Sequence, residues 1–171
     1  MGQARIIYFN GGVDEVSSML AIVQLLNYNS LSKTEPIYMY INSPGGSVQH
    51  GLAIYDTIKH IEAPVYTICT GMAASMGSFL LSCGEKGHRA ALKHSSILIH
   101  QPLMLLNGAI SDKESEIRKV SDEFTECREL LEKILAENTN QPIEKVSRDC
   151  ERDNWMTAEE ALAYGLIDEI I

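Results

Sequence analysis

The chain has no C-x-x-C pair, no internal repeat and no linker rich in proline, glycine and serine. Its four cysteines, Cys69, Cys83, Cys127 and Cys150, lie too far apart in sequence for a metal-binding pattern or an evident disulfide framework. Each reads as a small apolar residue in a reducing compartment. Positive charge is also short: 23 acidic residues against 14 lysines and arginines leave a net charge of −9. Nucleic acid wants a basic stripe that displaces counterions, and anionic membrane surfaces attract the same kind of patch, so neither partner is expected. No basic segment followed by a long apolar run opens the chain, so no signal peptide is read and a cytoplasmic location is expected. Neither a metal nor a cofactor is expected. One uncharged run, Ala63 to Gly84, is long enough to span a bilayer. It holds Pro64, three later glycines and several Ser and Thr, and a strand, a tight turn and a buried helix account for it better.

What is present is an alternation of β-rich runs and helical patterns. A chain of 171 residues suits one domain, 1–171, and such a domain buries roughly 70% of its unfolded surface. Strands are read at Ile6–Asn10, Ile37–Ile41, Val65–Thr70, Arg89–Leu92, Ser96–His100 and Leu166–Ile171. Helices are read from about Val13 to Tyr28, over Val48, Leu52, Tyr55, Ile58 and Ile61, after Ser75, and from about Asp112 to Glu137. Pro142 reads as the first residue of another helix. The last helix has a capping box, Thr157-Ala158-Glu159-Glu160, and Gly165 ends it. This β-α order predicts an α/β fold with a mostly parallel sheet, whose ligands sit at the carboxyl ends of strands.

Two of those strand ends are rich in small residues. In Gly71-Met72-Ala73-Ala74-Ser75-Met76-Gly77, a serine stands where a strand turns into a helix. A hydroxyl is a weak nucleophile that needs exposure, a base and room for a tetrahedral centre, and small neighbours provide the room. In Asn42-Ser43-Pro44-Gly45-Gly46, backbone N–H groups stand free of side chains. Acyl transfer needs two donors aimed at the developing oxyanion, and the amides of Gly46 and Met76 are the candidates. Of five histidines, His50, His60, His88 and His94 read as surface residues. His100 differs, because it ends the apolar strand Ile97-Leu98-Ile99 where a sheet would present a base. For an acid that orients His100, Asp149, Glu151, Asp153 and Asp168 all remain open, since order in the chain does not define such a set.

Four segments together, in order, resemble a known family. They are Ile41-Asn42-Ser43-Pro44-Gly45-Gly46-Ser47, the Gly71–Gly77 segment, Ile99-His100-Gln101-Pro102-Leu103 and Glu151-Arg152-Asp153-Asn154-Trp155-Met156-Thr157-Ala158-Glu159-Glu160. They resemble the proteolytic subunit of the Clp protease, the ClpP family, from about Arg5 to the last residue. The resemblance implies a crotonase-like spiral of βαβ units with a protruding helical handle at about 102–137. It implies catalysis by Ser75, His100 and Asp153, with an oxyanion hole at Gly46 and Met76. Gly45, Ser47, Val48 and Leu103 would then bind extended substrate, and Arg152 would pair across the junction between rings. The implied partners are unfolded polypeptides, an AAA+ unfoldase and further copies of the chain, in two stacked heptameric rings.

Some positions depart from the family pattern. Met72 stands where the family has Gln, and Met104-Leu105 replaces a pair of glycines on the stretch expected to line the substrate. The interval from His100 to Asp153 is about four residues longer, roughly one extra helical turn. Almost nothing precedes the first strand, where the family has an axial segment that gates the entrance. These departures bear on peptide specificity, ring pairing and gating. Two rival readings follow: a catalytically weak ring subunit assembled with an active paralogue, and a crotonase-like acyl-CoA enzyme. The second has no need of a Ser-His-Asp set. Lys86 and Lys93 would be the bases of a Ser-Lys enzyme, but His100 is better placed.

Overall fold

The computed structural model describes residues 4–102 and 114–171, with side chains from 118 onward in the second span. It is a mixed α/β fold built on a mostly parallel sheet. Strands β1 (Ile6–Asn10), β2 (Ile37–Ser43) and β3 (Val65–Ala74) lie side by side, followed by β4 (Arg89–Ala91) and β7 (Glu169–Ile170). Strand β5 (Ser96–Ile99) pairs with the second half of β3, and β6 (Asn154–Thr157) runs antiparallel along β5.

Alternation in the first strands sorts the two faces of the sheet. Ile7, Phe9, Ile37, Met39 and Ile41 are at most 3% exposed. They share one core with Ala21 and Leu25 of α1 (Glu15–Leu31) and Ile54 and Ile58 of α2 (Val48–His60). Fully burying one such aliphatic side chain contributes about 1.5–3 kcal/mol, so this face holds the fold together. The opposite face carries tyrosines: Tyr8 stacks on Tyr40, and Tyr38 meets Tyr66 edge-on. Helices α3 (Met76–Ser82), α4 (Glu114–Thr139), α5 (Ile143–Cys150) and α6 (Ala158–Tyr164) complete the described elements. No described helix is long and apolar enough to cross a membrane.

Several element bounds differ from the sequence reading. Helix α1 starts at Glu15 because Val13 bridges to Gly46, and Asp14 caps the helix by accepting from the Ser17 amide. Pro142 is the N-cap of α5 rather than its first residue, since its carbonyl already accepts from the Val146 amide. The closing strand shrinks to Glu169–Ile170, because β4 offers only a short edge to pair with. The capping box at Thr157 and the left-handed Gly165 stand as read.

The larger corrections lie at β3 and β6. Strand β3 does not stop at Thr70. It bulges at Gly71 (φ 86°) and resumes through Ala74, pairing with β5 from Met72 onward. Asn42 fills the bulge: its Oδ1 accepts from the Met72 amide at 3.2 Å, and its Nδ2 donates to Asn10 at 2.8 Å. The strand β6 was not expected at all, and it pairs Asn154 with Ile99. That register sets the residue before β6 beside the residue after β5.

Candidate active site

Three parallel strands end at one edge of the sheet. Strand β2 runs into the Asn42–Gly46 loop, β3 into Ser75, and β5 into His100. Ser75 has φ 55° and ψ −122°, a conformation that L-residues rarely adopt and that costs of order 1–3 kcal/mol. Its surroundings leave little choice. The Ser75 amide donates to the Leu98 carbonyl at 3.0 Å, and Ser78 Oγ donates to the carbonyls of both Leu98 and Ser75. A single residue therefore makes the turn from strand to helix.

The glycine loop is fitted directly against that turn. A Cβ on Gly45 would lie 2.6 Å from Ser75 Cβ and 3.0 Å from the Met76 nitrogen. One on Gly77 would lie 2.8 Å from the Ser43 carbonyl oxygen. Gly46 (φ 149°) is wedged against the Val13 backbone, and Val13 accepts from the Ser47 amide at 2.8 Å. Ser47 then caps α2, accepting from the His50 amide. The backbone N–H groups of Gly46 and Met76 make no backbone hydrogen bond among the described residues, so both are free to donate. Gly45 is buried beneath them, while the Met76 side chain packs over Gly51.

His100 is largely buried, and its Nδ1 lies 3.0 Å from Asp153 Oδ1. The Asp153 side chain is 65% exposed. Of the four carboxylates left open by sequence, Asp153 alone reaches His100: Asp149 pairs with Lys145 and Asp168 with Arg89, each at 2.6 Å. Glu151 is exposed and offers only its carbonyl to this region. Ser75 and His100 line one cavity, walled by Val48, Phe79, Ile99, Leu131 and Leu135. Ser75 Oγ makes no hydrogen bond among the described residues, so the serine and histidine share the cavity without being joined.

Other expected site residues fall as follows. Ser47 and Val48 border the site at the start of α2, whereas Leu103, Met104 and Leu105 lie outside the described residues. Arg152, beside Asp153, is exposed and makes no ion pair among the described residues. Burial pushes the Cys69 thiol up to about 11, and the Cys83 and Cys150 thiols up to about 12, which keeps all three protonated and unreactive near neutrality. Sequence reasoning missed Asn42 as the plug of the β3 bulge. It also missed Glu132, a nearly buried carboxylate on the cavity wall held by Arg128 at 2.6 Å. The i,i+4 spacing of Arg128 and Glu132 was the available signal.

The fold thus defines an α/β protein of βαβ units that gathers a strained serine, a histidine–carboxylate pair and two free amides at one sheet edge. The chain belongs to the Clp protease family: the family model described as Clp protease matches residues 1–171, the whole chain. It is a ClpP-type protease, of a family of ring-forming proteases that work with Clp unfoldases.

Proposed function

We propose that the chain is the serine endopeptidase subunit of a self-compartmentalising ring protease, with Ser75 as nucleophile, His100 as base and Asp153 as its orienting carboxylate. The observation that carries this reading is the 3.0 Å contact of Asp153 with His100, which lines the cavity that also holds Ser75. With Nδ1–H donating to Asp153, the other ring nitrogen of His100 is the one left to accept the Ser75 proton. The attacked carbonyl oxygen becomes an oxyanion, which the Gly46 and Met76 amides receive. The imidazolium then protonates the leaving amine, and the same histidine activates water to release the acyl group. An extended substrate pairs its main chain with the segments that follow Gly46 and Pro102, at Ser47, Val48 and Leu103, with Gly45 leaving room beneath. Family kinship supplies the rest: two stacked heptameric rings, Arg152 at their junction, and an AAA+ unfoldase feeding unfolded chains.

A fluorophosphonate probe followed by intact-mass measurement tests this. One adduct is expected, absent in Ser75→Ala. A folded protein that takes up no probe overturns the reading.

A second reading has its own observation. Ser75 Oγ has no hydrogen bond to His100, and Asp153 is mostly in solvent, as in a ring subunit that assembles with an active paralogue and cleaves little. Full peptidase activity of the pure homo-oligomer removes it. Loose contacts before substrate binds are common in peptidases, which favours the first reading.

A further inference from the structure

Asp153 is exposed, and its one described hydrogen bond is to His100. Something else must fix its loop. On its C-terminal side Asp153 is anchored by Asn154, which pairs with Ile99; on its N-terminal side the fixed points are two bonds made by Gln101, the residue after His100. Its amide donates to the Cys150 carbonyl at 2.6 Å, and its side-chain Nε2 donates to the Glu151 carbonyl at 3.1 Å. Glu151 precedes Asp153 by two residues, so Gln101 ties the strand that carries the base to the loop that carries the carboxylate.

A carboxamide can turn end for end, and only one orientation offers an N–H to Glu151. Arg128, on α4, selects that orientation. Its Nη1 donates to Gln101 Oε1 at 3.1 Å, which commits the oxygen and leaves Nε2 for Glu151. The guanidinium is itself held on two further sides: Nε donates to Glu132 Oε1 at 2.6 Å, and Nη2 to Ser147 Oγ of α5 at 3.2 Å. A planar fork with three acceptors on three segments is a rigid bracket, which the flexible single ammonium of lysine cannot reproduce.

We propose that Arg128 is a positioning residue for the His100–Asp153 pair, acting through Gln101. It touches neither substrate nor the reacting atoms. Its role is to hold the distance between base and carboxylate from the long helix, and it rests on the reading of His100 as the base.

Two variants test this in the full-length chain. Arg128→Lys keeps a cation for the buried Glu132 carboxylate, and Gln101→Leu removes both side-chain bonds of the relay while leaving an apolar residue of similar size on the cavity wall. Each is measured for the labelling rate at Ser75, for melting temperature, and by nuclear magnetic resonance of nitrogen-15-labelled histidine, where His100 Nδ1–H bonded to Asp153 gives a protected downfield signal. Both variants are expected to lose or broaden that signal and to slow labelling at least about tenfold, the worth of one hydrogen bond to a charged group. The Gln101→Leu protein is expected to melt a few degrees below the parent, for the two side-chain bonds it loses. A signal and rate equal to the parent's in both variants overturn the proposal. So does a fall in melting temperature with signal and rate intact, which assigns Arg128 to stability alone. If Ser75 takes no probe even in the parent, the proposed catalytic function fails, while the histidine signal still decides the positioning role.

Discussion

The two halves of the candidate site are held in different ways. Around Ser75 the structure is dry and steric: Ser43, Met76 and Ser78 are at most 3% exposed, and glycines stand wherever a Cβ would collide. Around Asp153 it is wet and polar, with a carboxylate 65% exposed that bonds His100, and a loop tied at Glu151 to Gln101 and through it to Arg128 of α4. Shape fixes Ser75 to within the tolerance of packed atoms. Polar bonds hold the Asp153 loop, and they yield to solvent, salt and substitution. The serine side should therefore fail abruptly when one atom is added, and the acid side gradually as bonds are removed.

The largest expected effect comes from one added methyl on the serine side. Gly45→Ala places a Cβ against Ser75 Cβ, the Ala74 carbonyl and the Met76 nitrogen, at a position whose φ is 93°. Relieving that overlap must move the serine, the amide after it, or both. Strain of about 3 kcal/mol corresponds to a loss of over about 100-fold in fluorophosphonate labelling. Circular dichroism is expected to show the secondary structure intact. Labelling within a few-fold of the parent would mean that the elbow is not sterically set, and the contrast between the two halves would collapse.

The serine side was also the more legible half of the sequence. A run of small residues around Ser75 and two glycines after Ser43 already indicate a close approach of two backbones, and β1 matches its expected bounds of Ile6–Asn10. The acid side was not legible, because its geometry depends on pairing between distant segments. Nothing local in Asn154–Thr157 signals a strand, since the pairing with Ser96–Ile99 is what makes it one. Spacing therefore left four carboxylates open, and the Ile99–Asn154 register brings Asp153 to His100. The bulge in β3 misled for a related reason. Gly71 announces a positive φ but not whether the strand resumes, and that is decided by Asn42 on the neighbouring strand.

A second test bears on what joins the halves. Arg89, 4% exposed, donates to Ser82 at the end of α3, to Asn138 near the end of α4, and to Asp168 through two nitrogens. It thus links the helix that follows Ser75 to the helix that carries Arg128. Asp168→Ala leaves a buried guanidinium short of its counter-ion, and about 3 kcal/mol of stability is expected to go, or roughly 6–12 °C in melting temperature. Acid should act in the same direction. Burial pushes the Asp168 carboxyl up, but it is outweighed by the Arg89 hydrogen bonds and charge and by the Gly87 and Arg89 amides, so the group sits below the ordinary carboxylate range. A depressed folded value means that the contribution is complete above the unfolded value near about 4 and fades as pH falls through the folded one. The parent should lose stability over that acid range and Asp168→Ala should lose less. Parallel pH profiles would show that the pair does not carry the coupling.

The smallest effect tests how far the acid side extends. Thr157 closes β6 and opens α6, accepting from the Glu160 amide at 3.2 Å while Glu160 accepts from the Thr157 amide at 2.8 Å. Thr157→Ala removes one half of that reciprocal cap, at a cost of about 1 kcal/mol. Thr157 pairs with Ser96 at the far end of β6, whereas Asn154, next to Asp153, pairs with Ile99. If the carboxylate is held from α4 and α5, the far end of its strand is irrelevant to it. Melting is then expected to fall by about 2–4 °C with labelling at Ser75 unchanged. A slowed label would mean that β6 itself carries the alignment, and that the polar half of the site is braced from both ends rather than from the long helix alone.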